Sequence, residues 1–357
     1  MTTSIIPKSA RYDPSGLLGS PSPVNIVVGA RSLGKTYGFT KYAVRNYLNN
    51  GEEWIYLRRY DTELKDSSVG GKEGVFAALI KENEFPKHEF RVEGSKMQIR
   101  LISKSDDKGD PWQTFGYMMA LSKAQSYKGT NLPKVTTIFY DEFILERKVP
   151  PYLKNEPDVL MNFWETIDRR NNRVRLYLAA NAANIVNPYF MQWNLQIPTK
   201  GKTKTYKIGR SSITVQYADD AIFKTYARET TIGAFTSGSS YENYALENTF
   251  KGDDGAFIAK KTSKALYAYC LIIKGEEYGI WCDAKRGEYF INKQILDDDE
   301  KTFVLIKEDL RPNVMILERI HPILVILKRA VQYGCCYFSD VKVKQSFLNG
   351  MELLGIR

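Results

Sequence analysis

At 357 residues, with 43% hydrophobic and 26% charged side chains, the chain is globular in composition and too long for one comfortable core, so two domains or one domain with an appendage are expected. A formal net charge of +10 favours a polyanionic partner, because neutralising phosphates releases counterions. Two histidines, His88 and His321, leave almost no material for a histidine metal centre or triad; the four cysteines (Cys270, Cys282, Cys335, Cys336) lack metal-ligand spacing and read as reduced packing residues.

The opening residues MTTSIIPKSARYD lack the apolar core of a secretion signal, which leads us to expect a cytoplasmic protein. From 24 to about 197, short β-branched runs alternate with amphipathic segments, the pattern of a parallel sheet covered by helices. Strands are expected over 24–28, 54–58, 135–140 and 174–179, and a hairpin over 90–92 and 97–102. Helices are expected over 35–48 and 159–169. In the second helix Val159, Leu160, Phe163, Trp164 and Ile167 form one apolar stripe behind Pro157. From about 198 to 252 Lys, Thr, Ser and Gly replace the apolar runs, so this stretch reads as a small linker subdomain. The remainder, 253–357, reads as a compact α+β domain with apolar runs at 257–260, 266–274, 278–283 and 289–292 and closing helices over 320–333 and 339–354. The apolar run 320–327 is far short of the roughly 20 residues that span a bilayer and reads as a buried helix; no membrane association is expected.

Gly29, Ala30, Arg31, Ser32, Leu33, Gly34, Lys35 and Thr36 fit the P-loop pattern between a strand and a helix. Two glycines let the backbone curl so that its N–H groups face phosphates, and the helix adds its positive end. Lys35 then reaches the β- and γ-phosphates of ATP, and the Thr36 hydroxyl holds Mg²⁺. The strand ending Tyr140-Asp141-Glu142 supplies a carboxylate for the metal shell, Asp141, and one to orient or deprotonate the attacking water, Glu142. A strand over 54–58 lies between these motifs in the sequence. Asn181, after the strand 174–179, is either a sensor of the γ-phosphate or the cap of the next turn. Arg169 either complements a helix dipole or projects into a neighbouring subunit's site as an arginine finger.

Lys200, Lys202 and Lys204 alternate and would share one face of a strand, either a solvated hairpin or a ribbon touching the DNA backbone. Arg58 and Arg59 are a second candidate DNA contact, with pairing to Asp61 or Glu63 as the alternative. A GTPase switch is disfavoured, since Asn292-Lys293-Gln294-Ile295 lacks the Asp of a base reader. A C-terminal nuclease would need Asp283 to converge with Glu288 or Asp309 on two metals.

Together these motifs resemble the DNA-encapsidation ATPases of small podophages with protein-primed linear genomes. The matching strings are GARSLGKT at 29–36, IYLRRY at 55–60, TTIFYDEF at 136–143, RVRLYLAAN at 173–181, VNPYF at 186–190 and YGIWCDAKRGEYFI at 278–291. The resemblance implies an additional-strand P-loop ATPase domain (1–197), a linker subdomain (198–252) and a C-terminal domain (253–357) similar to an inactive nuclease of the ribonuclease H type. It further implies ATP and Mg²⁺ as cofactors and double-stranded DNA as the translocated partner. The family acts as a homopentameric ring at the portal, or connector, of a procapsid in the host cytoplasm, attached through a packaging RNA scaffold. The family's phosphate loop falls on Gly29–Thr36, its acidic pair on Asp141 and Glu142, and its trans-acting arginine on Arg169. Lys128 matches a lysine that approaches the nucleotide, although its surroundings, QSYKG, depart from the family pattern.

Overall fold

The computed structural model describes residues 6–65, 74–102, 110–145, 152–181, 187–193, 195, 197–239, 242, 257–296, 299–318, 320–332 and 335–353. The chain divides into one unit of residues 1–184 and 192–250 and another of 185–191 and 251–357. The first unit contains β1 (Val24–Val28), α1 (Lys35–Asn50), β2 (Glu53–Arg58), β3 (His88–Glu93), β4 (Lys96–Leu101), β5 (Gln113–Ala120), β6 (Val135–Asp141), α2 (Glu156–Asp168), β7 (Arg175–Ala180), β8 (Thr203–Ile208), β9 (Ser211–Tyr217), α3 (Ala221–Arg228) and α4 (Thr231–Thr236). The strands form one nine-stranded sheet in the order β3-β4-β5-β2-β6-β7-β1-β9-β8.

The central strands are parallel, and all five residues of β1 are buried, as continuous apolar runs require when both faces are covered. The β3–β4 hairpin adds to one edge and β8, antiparallel to β9, closes the other. β7 lies between β1 and β6, pairing in parallel with both; it is therefore the additional strand of the sheet, whereas β2, which separates the two motifs in the sequence, sits outside β6. The stretch read as a linker subdomain contributes β8 and β9 to this sheet, with β9 paired to β1, so residues up to 250 group with the first unit. Its Lys- and Thr-rich composition reflects an exposed edge hairpin.

Phe39 of α1 stacks on Phe139 of β6 at 4.5 Å between ring centroids, and Trp54 stacks on Phe139 at 6.3 Å in the same core cluster. α2 buries Leu160, Phe163 and Ile167, as the stripe predicts, but ends at Asp168, leaving Arg169 in left-handed backbone outside the helix. The strand β5 escapes the sequence reading because Gly116 interrupts its apolar run. That glycine faces Trp54 across the parallel pair, and a Cβ there would stand 2.4 Å from the indole.

The second unit has a six-stranded sheet in the order β14-β13-β10-β11-β12-β15. Its strands are β10 (Leu266–Ile273), β11 (Glu276–Asp283), β12 (Glu288–Asn292), β13 (Thr302–Val304), β14 (Met315–Ile316) and β15 (Cys336–Phe338), with α5 (Pro322–Gln332) and α6 (Val341–Leu353). Leu324 and Leu327 of α5 and Phe347 and Met351 of α6 pack against Ile273, Tyr278, Ile280 and Ile291. The run 320–327 is buried on one face only, since Ile320 and Ile326 are exposed. Among the described residues no helix is long and apolar enough to cross a membrane.

Gly116→Ala should lower the unfolding free energy by about 1–3 kcal/mol, because the buried Trp54 and Met97 must move to admit one methyl. The midpoint of denaturant unfolding checks this.

Candidate nucleotide-binding site

β1 delivers the chain to Gly29, whose N–H donates to the Ala180 carbonyl at the end of β7. The backbone then curls: Ser32 has φ 61° and Gly34 has φ 95°, and Gly34 passes the side chain of Arg11 so closely that a Cβ would meet it at 3.3 Å. Ala30 and Leu33 are buried beneath the loop, while Arg31 and Ser32 are exposed on it. Lys35, at the start of α1, is buried and donates from Nζ to the carbonyls of Gly29 at 3.1 Å and Ala30 at 2.8 Å. An ammonium folded across its own loop, at the positive end of a helix, makes a cradle for phosphate oxygens.

Asp141, the last residue of β6, faces this loop. Its Oδ2 accepts from Thr36 Oγ1 at 2.7 Å and from the buried Tyr56 hydroxyl at 3.0 Å. Desolvation, and after it the Asp141 charge, pushes the Tyr56 hydroxyl well above its ordinary pKa, so it remains a donor. A hydroxyl and a carboxylate side by side are the hard oxygen donors that Mg²⁺ takes together with substrate phosphates, so these residues fit that ion. Glu142 follows with φ 56° and a half-exposed carboxylate that binds the Arg58 guanidinium at 2.7 Å. Burial disfavours the charge of Arg58, but Tyr56 and the carboxylates of Glu142, Asp141 and Glu63 raise its pKa overall. Asn181 immediately follows Ala180 and therefore flanks the Gly29 end of the loop; the turn it would cap lies outside the described residues. Nothing in the sequence marks Tyr56, because a tyrosine in an apolar strand reads as core until the register sets β2 beside β6.

Arg58 and Arg59 are not free for DNA: Arg58 pairs with Glu63 and Glu142, and Arg59 with Glu156. Lys200 is likewise bound to Asp220 at 2.5 Å, leaving Lys202, Lys204, Lys207 and Arg210 exposed along the edge hairpin.

Arg169 and Lys128 lie elsewhere. The Arg169 guanidinium donates to the carbonyls of Gly129 at 3.3 Å and Thr130 at 3.1 Å, so it neighbours the exposed Lys128. The turn carrying Arg169 leads into the N-terminal end of β7, whereas the phosphate loop meets the C-terminal end, roughly 17 Å away along the strand. Lys128, expected among the nucleotide ligands, is thus placed with Arg169 and not beside the loop of its own chain. The turn holds left-handed backbone at Arg169, Arg170 and Asn172, and Asp168 clamps it by accepting the N–H groups of Asn172, Arg173 and Val174 at 2.9–3.0 Å.

In the second unit Asp283 and Glu288 are cross-strand partners, but Asp309 accepts from Gly275 at the opposite end of the β10–β11 hairpin, roughly 23 Å along β11. Asp283 is occupied by Thr262 and by the N–H groups of Lys285 and Arg286. Asp283 and Asp309 therefore do not converge on a metal pair, and no metal-holding cluster of three His, Cys, Asp or Glu occurs among the described residues.

A parallel sheet with one intervening strand between the loop strand and the acidic strand, and a curled loop facing an Asp, places the first unit in the class of mononucleotide-binding α/β folds. The sequence profile of the Podovirus DNA encapsidation protein (Gp16) family matches residues 6–347, and the chain belongs to that family. It is 31% identical over 308 residues to the DNA packaging protein of Bacillus phage phi29, covering 86% of each chain. It is 31% identical over 292 residues to that of Bacillus phage B103, covering 82% of this chain and 84% of the relative. The fold superposes on a chain of the bacteriophage phi29 viral genome packaging motor assembly with a TM-score of 0.64 and 28% identity, covering 98% of this chain and 100% of the other.

Burial alone would raise the Asp168 carboxyl, but three backbone N–H donors outweigh it and hold it below its ordinary value. The stabilisation it provides is therefore complete above about pH 4, where the unfolded carboxyl is also ionised, and is lost as pH falls through the lower folded value. Asp168→Asn should cost about 1–3 kcal/mol at pH 7, with the gap to the parent narrowing toward pH 3 in denaturant melts.

Proposed function

We propose that this DNA-encapsidation protein is an ATP-hydrolysing motor that drives double-stranded viral DNA into a preformed procapsid. The observation that carries the reading is the meeting of three elements at one edge of the sheet: Lys35 over the curled loop, and the Thr36 hydroxyl on the Asp141 carboxylate. Gly29 to Thr36 bind the triphosphate through backbone N–H groups and the Lys35 ammonium. Thr36 and Asp141 hold Mg²⁺, which when bound neutralises charge on the β- and γ-phosphates. Glu142 orients and deprotonates the attacking water; its bond to Arg58 must loosen for this, so Arg58 restrains the carboxylate until the site is ready. Asn181, at the loop shoulder, senses the γ-phosphate.

Arg169 and Lys128 supply the trans half of the site. They share a surface at the edge of the sheet far from their own loop, which a second copy of the chain can use and the same copy cannot. Such a head-to-tail contact closes into a ring, in keeping with a homopentamer on the procapsid. The exposed cations of β8 and its turn suit contact with the DNA backbone. The second unit, in which Asp283 and Asp309 stand at opposite ends of a hairpin, serves as a docking domain without cleavage activity, joined to the portal through a packaging RNA. The motor then works in the host cytoplasm on the procapsid.

Lys35→Ala should abolish nucleotide binding or turnover. Glu142→Gln should still bind ATP while hydrolysing it about 10²–10⁴-fold more slowly. Arg169→Ala should be slow by itself, about 10³-fold or more, and should regain turnover when mixed with Glu142→Gln subunits, which are dead in their own sites but carry an intact arginine. ATPase assays on homogeneous and mixed rings at procapsids decide this; absence of rescue in the mixture argues against a trans arginine.

A further inference from the structure

Glu142 carries its carboxylate on left-handed backbone, with φ 56°. Such a conformation in a residue with a Cβ costs energy and persists only where the surroundings over-determine it. The surroundings here are specific. The N–H of Phe143 donates to the Ala179 carbonyl of β7 at 3.2 Å, fixing one side of the peptide that follows Glu142. The other side is held by Arg59, whose guanidinium donates to the Phe143 carbonyl at 2.5 Å and the Glu142 carbonyl at 3.4 Å.

Arg59 is itself fixed. Its side chain is 1% exposed, and its Nε donates at 2.8 Å to Glu156, which is 0% exposed at the start of α2. The second oxygen of Glu156 accepts from the Tyr140 hydroxyl at 2.9 Å, and Oε2 also accepts the N–H of Leu153 at 2.8 Å. The rings of Tyr140 and Tyr152 lie within 5.7 Å and 4.9 Å of the guanidinium carbon. Stability alone does not explain a buried charge pair, since well-packed apolar residues commonly serve as well or better. A planar cation that reaches two successive carbonyls and a carboxylate at once does explain it.

We propose that Arg59, locked by Glu156, is a positioning residue for the hydrolytic step: it holds the backbone of Glu142 so that the carboxylate meets the attacking water. Arg59 and Glu156 are sealed from solvent and act only through the backbone they hold. Arg58, which ends β2, and Arg59, which follows it, then divide one task, Arg58 on the carboxylate and Arg59 on the carbonyl. This inference rests on Glu142 being the residue that orients water.

The test uses the full chain on procapsids and compares the double variant Arg59→Met/Glu156→Leu, the single variant Arg59→Lys, and Glu142→Gln. The apolar double variant should unfold at a denaturant concentration close to that of the parent and keep KM within about twofold, while kcat falls by about 10²-fold, as expected for a misaimed catalytic group. Should it fail to fold, Arg59→Lys keeps the charge but not the fork, and its kcat should fall with KM unchanged. Placed in the Glu142→Gln background, either change should cost at most about twofold more, since the residue it aims is already disabled. A folded double or lysine variant with parental kcat overturns the proposal, as does a rise in KM with kcat retained, or a full additional loss in the Glu142→Gln background. If Glu142→Gln itself turns over ATP at the parental rate, the reading of the site fails; if it is dead while the Arg59 variants are unimpaired, only the positioning role fails.

Discussion

The parallel register of β1, β7 and β6 is the constraint on which the site depends. Val28 pairs with Ala180, and Ala179 pairs with Asp141, so the chain leaves all three strands at the same level of the sheet. Parallel strands end at one edge by construction, and each must be followed by a loop there. Gly29, Asn181 and Glu142 are the first residues of those loops. The Thr36–Asp141 hydrogen bond is the local expression of this alignment, joining the helix that follows β1 to the end of β6 across the intervening strand.

Charge is organised around that edge by two adjacent arginines. Arg58 ends β2, next to β6, and Arg59 follows it, yet their side chains have different surroundings. Arg58 lies against a half-exposed carboxylate, where water can replace the guanidinium on Glu142 while Glu63 keeps Arg58 paired. Arg59 lies in a sealed pocket, where release would strand a charge without solvent. One pair is thus suited to change during a cycle and the other to stay put. The left-handed backbone of Glu142 sits between them, held through its carbonyl and open at its carboxylate.

The far edge of the sheet is built with comparable care. Three non-glycine left-handed residues among four would not hold a turn unaided; the Asp168 carboxylate collects its N–H groups and presents Arg169 beside the loop of Lys128. A strand of six residues separates this turn from the phosphate loop, and no side chain spans that distance. The proposed trans role would give one body a donor edge and an acceptor edge, which is what a heterologous interface requires. The second unit shows the complementary restraint, with Asp283 spent on its own turn and Asp309 at the other end of the hairpin.

The sequence by itself located the curled loop at 29–36, the strand ending in Asp141, the central strands and the family, because each is written in contiguous residues whose spacing has a local physical meaning. It also determined the stripe of α2, which is a property of one helix. Only the tertiary structure decided which strand lies between β1 and β6, that β8 and β9 belong to the main sheet, and that Asp283 and Asp309 stand apart. Strand order and register are set by pairings between distant segments, and the short strands β13, β14 and β15 carry too few residues to show a period. The partners of Arg58, Arg59 and Lys200 were undecided for the same reason: an arginine or lysine at a strand end looks alike in sequence whether it faces DNA, a catalytic carboxylate or a buried one, and Glu142, Glu156 and Asp220 reach them only through the fold.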